Sequence, residues 1–210
     1  MSGERPFAAA ASLAAVTAIG CLVAATIRTP GFGTADYVSE LGVGDGSSVY
    51  RAGVLAAAIG VASYAVAVRR VVLAAGLLGA SSLLFLGSAA VTCTPGCPLP
   101  PYQDTTAQDL LHAGASAGAL GLAGLSMLVL AVRCQDRLVA AVCGIAALVE
   151  LGFMAVTGIA LLANTQGVVN GVLERCVVGA ALSWLLVSGS LLAVRRPAGA
   201  QIGIRAGPAG

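Results

Sequence analysis

The strongest chemical signal in the chain is a histidine that follows an aspartate at helical spacing. The stretch from 93 to 118, CTPGCPLPPYQDTTAQDLLHAGASAG, holds two cysteines, two aspartates and the single histidine. Asp109, His112 and Ser116 fall at i, i+3 and i+7, on one face of a helix. An aspartate can orient a histidine, which can act as a base, an acid or a ligand. Asp109 and His112 are therefore candidate catalytic residues, unless Asp109 only caps the helix and His112 lies at the water interface.

Two further acids precede the second apolar segment. The stretch ADYVSELG, residues 35 to 42, contains no proline or internal glycine and predicts a helical turn or two. Asp36 and Glu40 would then share a face, and two nearby carboxylates can bind a cation or divide acid and base roles. Both are candidate catalytic residues. The alternative is that they cap a short interfacial helix and pair with Arg28 or Arg51.

A third kind of acid, Glu150, lies in the middle of the apolar stretch AALVELGFMAVTG. Burying an ionised carboxylate at bilayer depth costs at least about 2.5 kcal/mol. We therefore expect Glu150 to be protonated, paired or facing a hydrated cavity, and count it as a candidate catalytic residue. Arg51 and Arg175 are candidate substrate-binding residues, since a guanidinium suits a lipid phosphate; Arg175 and its neighbour Glu174 would otherwise pair with the loops.

Two cysteines flank a turn-forming TPG insert at the start of the opening stretch. Cys93 and Cys97 would lie on the oxidising side of a membrane, where a short loop is readily closed by a disulfide. A metal site is the alternative, but C-x3-C with a single histidine matches zinc-ligand patterns poorly. We predict the disulfide, no metal site and no cofactor, with a divalent cation at the paired carboxylates left open.

Composition places these residues in a membrane. The chain of 210 residues is 58% hydrophobic and 10% charged, whereas a soluble domain carries roughly a quarter charged residues. A spanning helix needs about 20 mostly apolar residues. We predict an all-α bundle of six transmembrane helices over residues 1 to 196, followed by a disordered tail over 197 to 210. The six predicted spans cover approximately residues 7–27, 49–68, 71–92, 109–132, 138–162 and 174–194.

Arginine sets the predicted orientation, because the chain has no lysine. Eight of the eleven positive residues fall on one side of a six-span bundle, which the positive-inside rule makes cytoplasmic. These are Arg5, Arg69, Arg70, Arg133, Arg137, Arg195, Arg196 and Arg205. Both termini are then cytoplasmic, and the acidic loops are extracytoplasmic on a multi-pass protein of the cell membrane. The net charge of +2 gives no reason to expect nucleic-acid binding.

These residues together resemble a known family. Six spans, SELG after the first helix, Arg51 early in the second, and a loop leading through an aspartate to a histidine in the fourth look like the integral-membrane family called domain of unknown function 998. The chain is similar, more remotely, to the Frag1/DRAM/Sfk1 group of six-span proteins. The resemblance implies a six-helix bundle of unsettled function and marks Ser39, Glu40, Asp109 and His112 as candidate site residues. It does not imply the cysteine pair.

Two classes of function remain open on the sequence. In the first, the acids and His112 converge in an outward-opening cavity and act on a membrane lipid or isoprenoid-like molecule. The reaction would be hydrolysis or group transfer with His112 as base, or a cyclisation started by a protonated carboxyl group. In the second, acids and arginines form an ion-pair network that closes the outer face of a lipid-binding, transport or assembly-partner protein. The sequence contains no GxSxG, HExxH, phosphate-loop or dinucleotide motif, and it leaves the oligomeric state open.

Overall fold

The bundle consists of long apolar helices, as predicted. A computed structural model of the chain describes residues 4–163 and 168–194. Within these ranges six helices are long and apolar enough to cross a membrane, which confirms the six-helix all-α fold and makes the chain a multi-pass membrane protein. The helices are α1 Arg5–Arg28, α2 Ser47–Ala67, α3 Val72–Ala90, α4 Ala107–Arg133, α5 Arg137–Leu162 and α6 Val168–Val194. The predicted disordered tail at 197–210, and the arginines 195, 196 and 205, lie outside the described residues.

Local sequence explains where several helices begin. Thr106 caps α4 by accepting a hydrogen bond from the Asp109 amide, and Asp136 caps α5 by accepting from the amides of Leu138 and Val139. Helix α6 begins at Val168, more than a turn before the predicted start near 174. Glu174 therefore lies inside the helix, where its side chain has a fixed direction.

The helices form a ring in chain order. Each helix packs against the next, and α6 closes the ring against α1. Small residues allow the closest approaches, as in other membrane bundles: a Cβ on Gly53 would lie 2.9 Å from the Cβ of Cys21, and a Cβ on Gly189 would lie 2.9 Å from the Ala8 carbonyl oxygen. The ring is thus closed by backbone contacts that larger side chains would separate.

The two ends of the bundle differ in their connections. At one end, which we call the arginine end, residues 68–71 and 134–136 make tight turns, and Arg70 Nε donates to Glu4 Oε1 at 3.0 Å. The other end, which we call the loop end, carries residues 29–46 and 91–106. The helical turn predicted within 35–42 is present there as a short 3-10 helix, Val38–Gly42.

Packing also divides the bundle in two. The main apolar core fills the half toward the arginine end, where Tyr64 packs edge-on against Trp184 with ring centroids 4.9 Å apart, and Met127 and Leu130 are fully buried. A smaller cluster of Ala25, Val38, Leu41 and Tyr50 packs the 3-10 helix against α1 and α2. The half toward the loop end is left with an open space between α4, α5 and α6.

Ring closure predicts a difference between two glycines of α6. Gly189→Ala places a methyl group against the backbone of α1 and should lower the free energy of unfolding by about 1–3 kcal/mol, whereas a Cβ on Gly179 meets nothing within 4 Å. Gly179→Ala should therefore be neutral or slightly stabilising. Thermal unfolding of both purified variants in the same detergent measures the difference. Equal melting temperatures would show that α6 and α1 do not depend on this close approach.

Candidate functional site

A cavity of about 280 Å³ lies at the loop end of the bundle, between α4, α5, α6 and the two loops. Most of its wall is apolar. The apolar side chains include Ala113, Ala117, Leu120, Met154, Leu161 and Val177. The polar side chains are concentrated near the loops and include Tyr37, Ser39, Asp109, His112, Ser116 and Glu174. The cavity is therefore amphipathic along its depth, with polar groups near the loops and an apolar interior.

His112 is held in one orientation by the end of the neighbouring helix. The ring is 3% exposed, and its Nδ1 lies 2.7 Å from the carbonyl oxygen of Val91, the residue that ends α3. A carbonyl oxygen only accepts, so Nδ1 carries the proton in this contact. In the neutral form of the ring, this tautomer places a lone pair on Nε2. Nε2 is buried and has no hydrogen-bond partner among the residues that the structure describes. His112 thus presents a hydrogen-bond acceptor, or a base, in the cavity wall.

Asp109 has a different role from the one that its spacing to His112 suggests. Its two carboxylate oxygens accept hydrogen bonds from the amide and hydroxyl of Thr94 and from the amide and hydroxyl of Thr106, at 2.7–3.0 Å. Of the two alternatives, capping is the one observed: the carboxylate of Asp109 turns back to cap α4, and the imidazole of His112 contacts the Val91 carbonyl just after α3 instead. Asp109 lines the cavity, but its acceptor positions are used to hold residues 91–106.

The other predicted carboxylates at the loop end also bind backbone. Glu40 Oε1 accepts from the Tyr37 amide at 3.1 Å, and Asp36 Oδ2 accepts from the Gly33 amide at 2.6 Å. Neither side chain lines the cavity. Arg51 Nη2 donates to Thr92 Oγ1 at 3.2 Å and lies outside the cavity too. These three residues therefore take part in packing the loops and do not line the cavity that contains His112.

Two adjacent residues of α6 form hydrogen bonds with the first loop, residues 29–46. Glu174 accepts from the amides of Val38 at 2.6 Å and Ser39 at 3.3 Å. Arg175 donates to the carbonyl oxygens of three loop residues, at 2.5 Å to Gly33, 3.2 Å to Thr34 and 2.8 Å to Asp36, and its guanidinium lies 4.9 Å from the centroid of the Phe32 ring. Arg175, predicted to bind substrate, is thus occupied by the loop, whereas Ser39 and Glu174 line the cavity.

Tyr37 is a cavity residue that was not predicted from the sequence. It lines the cavity, and its hydroxyl oxygen accepts from Asn170 Nδ2 at 3.3 Å. Burial raises the pKa of Tyr37 above its ordinary value, a rise that the hydrogen bond from Asn170 offsets in part and that the neighbouring carboxylates Glu174 and Glu40 reinforce. The phenol therefore stays protonated at neutral pH. Nothing in the local sequence marks this residue, because its position in the cavity wall depends on the hydrogen bonds between the loop and α6.

Glu150 lies beneath the cavity. Its side chain is fully buried, and both carboxylate oxygens have no hydrogen-bond partner among the described residues. Along α5 it is followed at i+4, i+7 and i+11 by Met154, Thr157 and Leu161, which all line the cavity. Glu150 thus occupies the same helix face one turn deeper than Met154, where an ionised carboxylate is costly to bury.

The disulfide between Cys93 and Cys97 is present, as predicted. Both cysteines are buried and line the cavity beside the loop that Asp109 caps. Across residues 4–163 and 168–194, no three histidine, cysteine, aspartate or glutamate side chains lie close enough together to hold a metal ion. The disulfide therefore contributes to the wall of the cavity.

Comparison with known proteins identifies a family but no characterised relative. A family sequence profile described as protein of unknown function (DUF998) matches residues 12–191, which is most of the chain. A search of curated proteins and a search of solved structures find no match. The remoter similarity to the Frag1/DRAM/Sfk1 group stays a prediction.

The capping role of Asp109 can be tested by measuring the free energy of unfolding of two variants. Asp109→Ala leaves four donors of Thr94 and Thr106 without their acceptor, each at a cost of about 1–3 kcal/mol where the group is buried, so we expect the free energy of unfolding to fall by about 3 kcal/mol. Asp104→Ala, an exposed acid of the same segment, is the matched control and should change stability little. Denaturation of both variants in mixed micelles gives the comparison. Wild-type stability of Asp109→Ala would contradict the capping role.

Proposed function

The chain belongs to the DUF998 family of membrane proteins, and we propose that it binds a lipid-like or isoprenoid-like molecule in the cavity at its loop end. One observation carries this proposal: His112 Nε2 is a buried acceptor without a partner among the described residues, in the wall of an otherwise largely apolar cavity. A buried polar atom left without a hydrogen bond is destabilising. A bound molecule that combines an apolar body with polar groups able to donate hydrogen bonds would supply the missing partner.

The size of the cavity supports a compact or single-chain molecule. A volume of about 280 Å³ lies at the small end of the roughly 300–1,000 Å³ typical of small-molecule sites. A single alkyl or isoprenoid chain suits such a space, whereas the two acyl chains of a phospholipid would need a larger one. The apolar side chains of α4, α5 and α6 would contact the apolar body of the ligand.

The expected orientation makes this an outward-facing site. The arginine end carries Arg69, Arg70, Arg133 and Arg137, so the positive-inside rule favours a cytoplasmic location for that end. The cavity and the disulfide would then face the extracytoplasmic side of the cell membrane, where disulfides persist. Under this orientation the ligand enters from the outer leaflet or from the outer aqueous phase.

A second candidate function is an enzyme that acts on the same molecule. The observation that favours it is the tautomer of His112, because protonation at Nδ1 leaves Nε2 free to remove a proton from a bound hydroxyl group or water. His112 would be the base for hydrolysis or group transfer, with Ser116 one turn deeper and hydrogen-bonded to Ser88 at 2.7 Å. Asp36, Glu40 and Asp109 are bound to backbone amides or threonines and are not needed in this scheme.

Filling the cavity tests the proposal. Gly158 and Gly152 are both in α5, and a Cβ on either meets nothing within 4 Å, but only Gly158 lines the cavity. In membranes treated with a decanol analogue that carries a photoreactive diazirine, we expect labelling of the α4 and α5 segments around the cavity. Gly158→Leu should reduce that labelling at least fivefold, and Gly152→Leu should leave it unchanged.

A parallel incubation without irradiation, with the acetate ester of the probe, distinguishes the two candidates. Recovery of the intact ester supports binding, whereas its hydrolysis to the alcohol and acetate, lost in His112→Ala, supports the enzyme. Labelling that is equal in wild type, Gly158→Leu and Gly152→Leu would contradict a ligand site in the cavity.

A further inference from the structure

We infer that the molecule bound in the cavity carries an amine, and that Glu150 is the deep acceptor for that group. This inference rests on the proposed function and specifies the chemical class of its ligand. It follows from three observations: the kind of hydrogen-bonding atoms left without partners, the position of Glu150 under the cavity, and the contacts of the nearby arginines.

Nε2 of His112 and the two carboxylate oxygens of Glu150 have no hydrogen-bond partner among the described residues, and each can accept a hydrogen bond. The contact between Nδ1 and the Val91 carbonyl leaves His112 Nε2 as an acceptor. Glu150 Oε1 and Oε2 accept when the group is ionised, and neither has a partner among the described residues. Acceptors are complemented by donors, and an ammonium group has three N–H donors and no acceptor. An amine therefore fits this set better than an ether, an ester or a phosphate.

Glu150 lies where a ligand in the cavity can reach it. At 100° per residue, the side chains of Glu150, Met154 and Thr157 leave α5 within about 60° of one another, and the second and third line the cavity. Met154 lines the cavity and is one helical turn from Glu150 along α5. Methionine is unbranched and adapts readily to its neighbours, so a rotamer change of Met154 would connect the carboxyl group with the cavity. A cation placed there would pair with a carboxylate that is otherwise costly at this depth.

The charges around the cavity have one sign. Asp109 and Glu174 are in its wall, and the described lining contains no arginine. Three arginines of the described chain lie near the loop end, and none lines the cavity. Arg28 is exposed at the end of α1, Arg51 donates to Thr92, and Arg175 donates to the carbonyl oxygens of the first loop. A phosphate headgroup would meet carboxylates without a cation to bind it, whereas an ammonium would be attracted.

Competition between three decyl compounds tests the inference. Photolabelling by the diazirine analogue of decanol is measured in proteoliposomes while decylamine, decanol or decyl phosphate is added as competitor. Decylamine should displace the probe at a concentration at least tenfold lower than decanol, and decyl phosphate should displace it least. Glu150→Gln, which keeps the shape of the side chain, should remove the advantage of decylamine, so that decylamine and decanol displace the probe at similar concentrations.

Two controls keep the roles of the residues separate. Glu40→Gln changes an acid that is outside the cavity and should retain the full advantage of decylamine. Glu150→Asp keeps the charge on a shorter side chain and should retain part of that advantage, which a purely structural role of Glu150 would not produce.

The outcomes distinguish this inference from the function on which it rests. If decanol and decylamine displace the probe equally in wild type, or if Glu150→Gln keeps the advantage of decylamine, the amine assignment is overturned while the lipid-like site stands. Preferential displacement by decyl phosphate would overturn the assignment as well. If none of the three compounds displaces the probe, the proposed binding function itself fails.

Discussion

The site depends on the attachment of the first loop to α6. Glu174 binds the amides at the start of the 3-10 helix, and Arg175 binds carbonyl oxygens of the residues just before it. The two adjacent side chains therefore satisfy donors and acceptors of one loop from one helix turn. Gly171, a turn earlier, lets the loop backbone approach, because a Cβ there would lie 2.8 Å from the Asp36 carbonyl oxygen. Tyr37 and Ser39 form part of the cavity wall because this attachment holds them in place.

The two halves of the bundle differ in the contacts that their side chains make. Toward the arginine end, apolar side chains pack into a continuous core. Toward the loop end, polar side chains bind the backbone of the loops. Asp109 binds residues of the second loop, 91–106, and Glu174 and Arg175 bind residues of the first loop. His112 differs from them, because Val91 uses one ring nitrogen and leaves the other in the cavity wall. Glu150 also differs from them, because neither of its carboxylate oxygens has a hydrogen-bond partner among the described residues. His112 and Glu150 are the two groups in or below the cavity wall with atoms that contacts among the described residues leave without a partner.

The sequence predicts the fold well and the site only in part. Hydrophobic length gives the six helices, because lipid requires about 20 apolar residues per span whatever the packing. The CTPGC spacing gives the disulfide, because the turn brings the two sulfur atoms together. Helical spacing places Asp109 and His112 on one face, but it cannot show that four nearer donors bind the carboxylate or that the end of α3 supplies the acceptor for His112. Arg175 and Tyr37 depend on contacts between loop and helix that are distant in sequence, so local patterns carry no information about them.

The most direct measurement uses the fact that His112 is the only histidine of the chain. Selective ¹⁵N labelling of histidine in protein purified through a histidine-free tag gives the resonances of a single imidazole. We expect the proton on Nδ1 and an unprotonated Nε2 whose resonance shifts when decanol or decylamine is added. A ring protonated at Nε2, or an Nε2 resonance that both compounds leave unchanged, would contradict the claim that His112 presents an acceptor to a ligand in the cavity.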